Sequence, residues 1–95
     1  MALLDDAEIE AGLAGLDGWE RAGEVIAKTF GCGDFVGSVS FVDSLVEPAE
    51  AMGHHPDVAI AWDKVTVTIS THSEGGLTAA DFALAGKVDA LSPTS

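Results

Sequence analysis

The stretch Asp57–His72, DVAIAWDKVTVTISTH, carries the clearest periodic signal in the chain. Apolar residues occupy every second position on both sides of Asp63, namely Val58, Ile60 and Trp62, then Val65, Val67 and Ile69. A period of two is typical of a β-strand with one buried face. The sequence therefore predicts an antiparallel hairpin with its turn at Asp63, with Trp62 packed in the core and His72 on the polar face.

The residues before this hairpin predict a long helix. Asp34 is a suitable N-cap, and the helix is predicted to run to about Met52. Helical spacing relates its apolar residues Phe35, Val39, Val42, Val46 and Ala49. Because Pro48 lies inside the helix and removes one backbone hydrogen bond, it should kink or split the helix.

This helix ends in the motif MGHHPD, Met52–Asp57. Gly53 fits the position just after a helix C-terminus, so His54 and His55 follow the helix directly. His72 is the only other histidine in the sequence, and one hairpin separates it from His54. Because a hairpin returns the chain toward its starting edge, His72 can come back near His54.

Two further helices lie near the ends of the chain. Asp5 and Glu8 have the spacing of a capping box, which predicts a helix over residues 5–16. Thr78 is a suitable N-cap for a last helix.

A second hairpin is predicted in WERAGEVIAKTF, residues 19–30, with its turn at Ala22-Gly23. The predicted order of elements is therefore α-β-β-α-β-β-α. This order predicts one α+β domain, 1–95, in which three helices pack on one face of a four-stranded antiparallel sheet.

The charge balance argues against two classes of partner. The chain has 4 Lys and Arg against 16 Asp and Glu, a formal net charge of −12. Such a surface repels phosphate groups, so we expect neither direct nucleic-acid binding nor membrane association. The sequence has no apolar run near the roughly 20 residues of a membrane span and no signal-peptide pattern, which predicts a cytoplasmic protein.

Three interpretations of the histidines are open: metal ligands, catalytic acids and bases, or a polar helix end without chemistry. A zinc site needs three or four convergent ligands at spacings that this sequence lacks, so no metal is expected. Imidazole titrates near neutral pH, which suits acid–base catalysis. The sequence contains no nucleophile elbow, phosphate loop or dinucleotide fingerprint.

The run from Glu50 to Asp81 resembles the pterin-4a-carbinolamine dehydratases. The family pattern is an acidic residue, three positions, then His-His-Pro, an aromatic residue, another histidine and an aspartate. The matching positions here are Glu50, His54, His55, Pro56, Trp62, His72 and Asp81. The segments STH and GLT, residues 70–72 and 76–78, and the order of elements over nearly the whole chain are also similar to the family.

The resemblance implies a metal-free dehydratase without a cofactor. Its substrate would be 4a-hydroxytetrahydrobiopterin or a related pterin, the product left by an aromatic amino acid hydroxylase. The catalytic residues would be His54, His55 and His72, with His54 and His72 as the acid–base pair and His55 binding the pterin. The substrate-binding residues would be Glu50, His54, His55, Pro56, Thr71, His72, Ser73 and Glu74.

Some of these residues also have supporting or structural interpretations. Glu50 lies one helical turn before His54 and is placed to orient it. The backbone of residues 71–74 would pair with the flat edge of the pterin. Asp81 forms a T-x-x-D capping box with Thr78, so its role can be structural.

The resemblance also implies a homodimer or homotetramer. The alternative function is a non-catalytic dimerisation or assembly module, because members of this fold act as dimerisation cofactors for a transcription factor and degenerate relatives assist assembly of a carbon-fixing enzyme. Degenerate relatives would be expected to lose the histidines, whereas this chain keeps all three.

Overall fold

The computed structural model describes residues 2–93. Of the predicted domain 1–95, Met1 and residues 94–95 therefore lie outside the described part. Four strands form one antiparallel sheet in the order β1-β2-β4-β3. The strands are β1 Glu20–Ala22, β2 Val25–Gly31, β3 Asp57–Ala61 and β4 Lys64–Ile69. This sheet and the order of elements confirm the predicted α+β fold class.

The helices are α1 Asp6–Ala14, α2 Phe35–Ser44, α3 Val46–Met52 and α4 Ala79–Leu91, with a single 3-10 turn at His72–Glu74. The capping box of Asp5 with Glu8 and the N-cap at Asp34 are both present, as predicted. Within residues 2–93, no helix combines the length and the apolarity needed to cross a bilayer.

The predicted long middle helix is split into α2 and α3 around Leu45. Pro48 explains the split, because its ring would clash with the carbonyl four residues earlier, and that residue is Ser44, the last of α2. Pro48 is the third residue of α3, where a helix needs no internal partner for its backbone amide. The break therefore costs little, and α3 can take its own direction toward the histidines.

The core lies between the helices and one face of the sheet. All three apolar side chains of the central strand β4 are fully buried, whereas Thr66 and Thr68 on its other face are only half-buried. The buried apolar residues of β2, β4, α2 and α4 include Ile26, Phe30, Val65, Val67, Ile69, Phe41, Leu84 and Val88. The alternation predicted for the central strands thus selects the face that the helices cover.

The prediction that Trp62 packs in the core is wrong. Trp62 is 71% exposed and has a positive φ of 53°. It is the first residue of the two-residue turn that joins Ala61 to Lys64, a position that usually holds glycine. A residue in this conformation leaves the alternation of the strand, so its side chain no longer points where the period of two predicts.

The strand before that turn is also more exposed than its pattern predicted. All five residues of β3 are exposed, and Val58 and Ile60 retain 40% and 39% of their accessible surface. In the described sheet β3 is an edge strand beside β4. Its apolar face therefore lies at the margin of the core and remains partly open.

Two other boundaries differ from the prediction. The first hairpin turns at Gly23-Glu24 instead of Ala22-Gly23, because Ala22 already pairs with Val25. The first helix ends at Ala14, two residues earlier than predicted, since Gly15 closes it.

Candidate functional site

The first two histidines are positioned by the end of α3. Gly53 adopts the left-handed conformation, with φ 60° and ψ 32°. Its amide donates to the carbonyl of Glu50, and the amide of His54 donates to that of Ala49. These two bonds form a Schellman motif, which closes the helix and fixes the backbone of His54 relative to α3.

The imidazole of His54 points inward to a buried carboxylate. Nε2 of His54 lies 2.6 Å from Oδ1 of Asp81. The side chain of His54 is 13% exposed, and that of Asp81 is fully buried. The predicted T-x-x-D capping box at the start of α4 is present, but Asp81 also reaches across to a histidine 27 residues earlier in the chain.

The second oxygen of Asp81 is held by two donors. Oδ2 accepts from the backbone amide of Thr78 at 2.7 Å and from the hydroxyl of Thr71 at 2.9 Å. Every polar atom of the carboxylate thus has a partner, as a buried charged group requires. Asp81 therefore links three segments: the end of α3, the loop after β4 and the start of α4.

The imidazole of His55 turns the other way, toward solvent. Its Nε2 lies 2.5 Å from Oε2 of Glu50, and both side chains are more than half exposed. The expectation that Glu50 orients His54 is therefore wrong. The ring of His54 is directed inward to Asp81, so the carboxylate one helical turn before it meets His55 instead.

The third histidine begins the loop after β4. Thr71 forms an isolated bridge with Gly76, and its carbonyl accepts the amides of Glu74 and Gly75. His72–Glu74 form one 3-10 turn, which Gly75 ends with a φ of 75°. Because the amides of Thr71 and Glu74 bond within this loop, they are not available to a ligand in this conformation.

The three histidines line one open cleft of about 200 Å³. Its walls are residues Gly53, His54, His55, Ser70, Thr71, His72 and Ser73. The hairpin thus returns the loop at residue 72 to the end of α3, as its topology allows. Among residues 2–93, no group of three or more His, Cys, Asp or Glu side chains is arranged to hold a metal ion.

Five residues from the predicted set lie outside the walls of this cleft, and one of them, Glu74, ends the 3-10 turn just beyond Ser73. Pro56 and Glu50 line an adjacent apolar groove of about 170 Å³, which shares His55 with the cleft. Trp62 is at the far end of β3 in the exposed hairpin turn. Asp81 lies behind His54 and contacts two residues of the cleft wall, through the ring of His54 and the hydroxyl of Thr71.

The sequence did not predict that Ser70 and Gly53 line the cleft. It also did not predict that the hydroxyl of Thr78 contacts Thr71, a residue of the cleft wall. Ser70 directly follows β4, and it continues the alternation of the polar residues Thr66 and Thr68, which is the available signal. Thr78 was identified only as a helix cap, although its hydroxyl also lies 2.8 Å from that of Thr71. That contact joins residues seven positions apart through a loop, which no periodicity reveals.

Comparison with known proteins gives a consistent family assignment. The family model described as pterin 4 alpha carbinolamine dehydratase matches residues 2–91. A protein of Roseiflexus castenholzii, provisionally named a pterin-4-alpha-carbinolamine dehydratase, is 51% identical over 95% of this chain and 97% of its own length.

Two solved structures are similar to this fold. A transcriptional coactivator/pterin dehydratase from Brucella melitensis has a TM-score of 0.91 and 34% identity, over 96% of this chain and 99% of its own. A pterin dehydratase-like protein described as a RuBisCO assembly factor in the alpha-carboxysome has a TM-score of 0.67 and 29% identity, over 81% of this chain and 92% of its own. The match over residues 2–91 and the similarity over nearly all of each relative place this chain in the pterin 4 alpha carbinolamine dehydratase family.

Proposed function

We propose that this protein dehydrates 4a-hydroxytetrahydrobiopterin, or a closely related 4a-hydroxytetrahydropterin, to the quinonoid dihydropterin and water. The observation that carries the proposal is the cleft in which His54, His55 and His72 meet, with His54 held by the buried Asp81. Imidazole groups of this kind can exchange protons with a substrate near neutral pH.

The reaction requires two proton transfers. The C4a–O bond breaks with its electron pair, and the departing hydroxyl gains a proton and leaves as water. The N5–H proton is lost, and its electron pair forms the N5=C4a double bond. His54 and His72 share these two roles as acid and base, each of which can contribute about 10²–10⁴-fold to the rate.

The environment of His54 supports a direct part in this chemistry. With Nε2 engaged by Asp81, Nδ1 is the ring nitrogen left for the substrate. The carboxylate holds the ring in one orientation, so little rearrangement is needed when the proton moves.

His55 is assigned to binding and orientation of the pterin. Its ring stands between the histidine cleft and the apolar groove that contains Pro56, so it can contact a flat ligand along the cleft wall. Glu50 holds this ring from the solvent side. His72 and Ser73 also line the cleft, where they can meet the donor–acceptor edge of the pterin.

The cellular role that fits this reaction is recycling of tetrahydrobiopterin in the cytoplasm, after an aromatic amino acid hydroxylase has used it. A separate reductase would then consume the quinonoid product. The proposed mechanism assigns every proton transfer to a side chain of this protein and needs no cofactor.

The test is a stopped-flow assay with synthetic 4a-hydroxytetrahydropterin. We expect the protein to accelerate loss of water well beyond the spontaneous rate. A protein with the native fold that does not outpace spontaneous dehydration would overturn the proposal.

A second candidate is a non-catalytic assembly or transcriptional-cofactor module. It is favoured by the names of the two structural neighbours, one a coactivator/pterin dehydratase and the other a RuBisCO assembly factor. The retained histidines favour catalysis, because all three meet in one cleft and one of them is paired with a buried carboxylate. Partner binding that survives replacement of all three histidines by alanine would support this second function.

The protein is also proposed to act as a homodimer or homotetramer. The open edge of β3 exposes Val58 and Ile60, and the outer face of α2 exposes Phe35, Val36 and Val39. A second copy is a suitable occupant of either surface, because both surfaces expose large apolar side chains.

A further inference from the structure

A buried chain of side-chain hydrogen bonds extends behind the histidine cleft. Oγ1 of Thr71 lies 2.8 Å from Oγ1 of Thr78 and 2.9 Å from Oδ2 of Asp81. Thr71 is buried, and Thr78 and Asp81 are fully buried. Polar groups in such a place must be matched donor to acceptor, so the direction of each bond can be worked out.

The donor and acceptor of each bond follow from the cap of α4, where Thr78 already acts as an acceptor. The hydroxyl oxygen of Thr78 accepts from the amide of Ala80 at 3.3 Å and takes part as acceptor in the capping box. Thr71 has a single hydroxyl hydrogen, and a carboxylate only accepts, so that hydrogen goes to Asp81. The hydroxyl of Thr78 must then donate to that of Thr71.

This arrangement fixes how Asp81 presents its two oxygens. Oδ2 receives the hydroxyl of Thr71 and the amide of Thr78, which leaves Oδ1 for Nε2 of His54. Without the hydroxyl of Thr71, Oδ2 keeps only one of these two donors, the amide of Thr78. With one donor fewer on Oδ2, the carboxylate would be held less firmly, and so would the ring of His54.

We infer that the hydroxyl of Thr71 is a positioning group for His54 and acts through Asp81. This role is separate from any contact of Thr71 with a ligand. Because Thr71 immediately precedes His72, one residue tethers the loop that carries His72 to the carboxylate that holds His54. The distance between the two imidazoles is therefore set in part by a side chain that performs no proton transfer.

The first experiment follows the ring of His54 directly and needs no substrate. In ¹⁵N-histidine-labelled protein, the ring-nitrogen shifts of His54 should report one tautomer, with hydrogen on Nε2 protected from exchange. We expect Thr71→Val, which removes the hydroxyl and keeps the shape, to mix the tautomers and speed that exchange. Thr71→Ser should restore the wild-type spectrum, because the serine hydroxyl can make the same bonds.

The matched control is Thr29→Val. Thr29 also bonds to another threonine, with Oγ1 of Thr66 at 2.9 Å, but this pair lies on the exposed face of the sheet. The control should leave the His54 signals unchanged. If Thr71→Val does not fold, Thr71→Ala, which also removes the hydroxyl, takes its place in the same comparison.

The second experiment rests on the proposed dehydration. Thr71→Val should lower kcat about 10-fold with little change in KM, because a misplaced catalytic ring slows the reaction more than it weakens binding. Wild-type His54 spectra in Thr71→Val would overturn the inference whether or not the protein is a dehydratase. Altered spectra in a wild-type protein that shows no dehydration would leave the positioning role standing and remove the proposed function.

Discussion

The two adjacent histidines are held by carboxylates of very different burial. His54 is paired with a fully buried Asp81, whereas His55 and Glu50 are 61% and 67% exposed. Water screens the exposed pair, so its geometry is loosely fixed. The buried pair has no such screening and is also held by other bonds to Asp81. This difference is the physical reason to assign the chemistry to His54 and the binding to His55.

That assignment predicts different kinetic effects for the three histidines. His54→Ala and His72→Ala should each lower kcat by about 10²-fold or more, because each removes a group to which we assign a proton transfer. His55→Ala should mainly raise KM, since its ring orients the substrate. Stopped-flow kinetics with 4a-hydroxytetrahydropterin measures both constants. Equal losses of kcat in all three variants would contradict the division of roles.

The buried carboxylate predicts a joint effect on stability and activity. Asp81→Asn can keep an oxygen for the two donors at Oδ2 only by turning its NH2 group toward Nε2 of His54, where it opposes the hydrogen that the aspartate holds. The expected cost is about 1–3 kcal/mol in the free energy of unfolding, together with a loss of kcat. Urea unfolding and the dehydration assay test the two parts.

The matched control for Asp81 is Asp89→Asn. Asp89 accepts from Nε1 of Trp19 at 3.0 Å and from Nζ of Lys28 at 3.0 Å, away from the cleft. This variant should lose stability and keep its kcat. If both variants lose activity in proportion to stability, Asp81 has only a structural role.

The histidines were identifiable in the sequence, but their partners were not. His54, His55 and His72 stand out by type, spacing and family pattern. Spacing alone predicted that Glu50 would meet His54, yet the two rings leave the backbone in opposite directions. Partner choice depends on side-chain rotamers and on an element 27 residues away, and neither is encoded in a local pattern.

At the scale of elements, α2 shows why apolar spacing predicts a helix without predicting its buried face. The predicted stripe includes Phe35 and Val39, which are exposed, whereas Ser38 and Phe41 are buried. Apolar residues occur on both sides of this helix, so their helical spacing does not show which side faces the core. Ser38 is buried because its hydroxyl donates to the carbonyl of Trp62 at 2.7 Å, which ties α2 to the β3–β4 turn.

The first turn of α2 predicts a large effect for one glycine. A Cβ at Gly37 would lie 2.2 Å from the carbonyl oxygen of Cys32, a backbone atom in the preceding loop. Gly37→Ala should therefore destabilise the protein by about 2 kcal/mol, because the helix or the loop must move. The change is measured as a lower midpoint in urea unfolding.

Gly86 in α4 provides the matched comparison. A Cβ there would meet nothing within 4 Å, and the residue is exposed inside a helix. Gly86→Ala should raise the free energy of unfolding by about 0.8 kcal/mol through helix propensity. If Gly37→Ala leaves the free energy of unfolding unchanged, the loop before α2 can move at little cost. The close contact of Gly37 with the backbone of Cys32 would then not fix the position of this helix.

At the scale of the whole molecule, charge and exposed apolar surface oppose each other. The chain carries a net charge of −12, which keeps copies apart at low ionic strength. The edge strand β3 has one charged residue, Asp57, followed by VAIA. Edge strands of monomers are usually protected by charges such as lysine or by proline, and residues 58–61 have neither. This edge is therefore where we expect the proposed self-association.

Self-association through β3 predicts a specific response to one lysine. Ile60→Lys puts a charge in the middle of the open edge and should shift the protein from dimer or tetramer toward monomer. Size-exclusion chromatography with light scattering measures the change. Added salt should strengthen wild-type association, because it screens the repulsion between acidic copies.

Two controls decide where the contact lies. Ala11→Lys adds the same charge on the exposed side of α1 and should leave the oligomer intact. Val39→Lys tests the outer face of α2. If Val39→Lys dissociates the oligomer and Ile60→Lys does not, the interface lies on α2 and not at the sheet edge. If the wild-type protein is a monomer at every concentration of protein and salt, the proposed assembly is wrong. Because the cleft is formed by residues of one chain, a monomeric Ile60→Lys variant should retain its dehydratase activity.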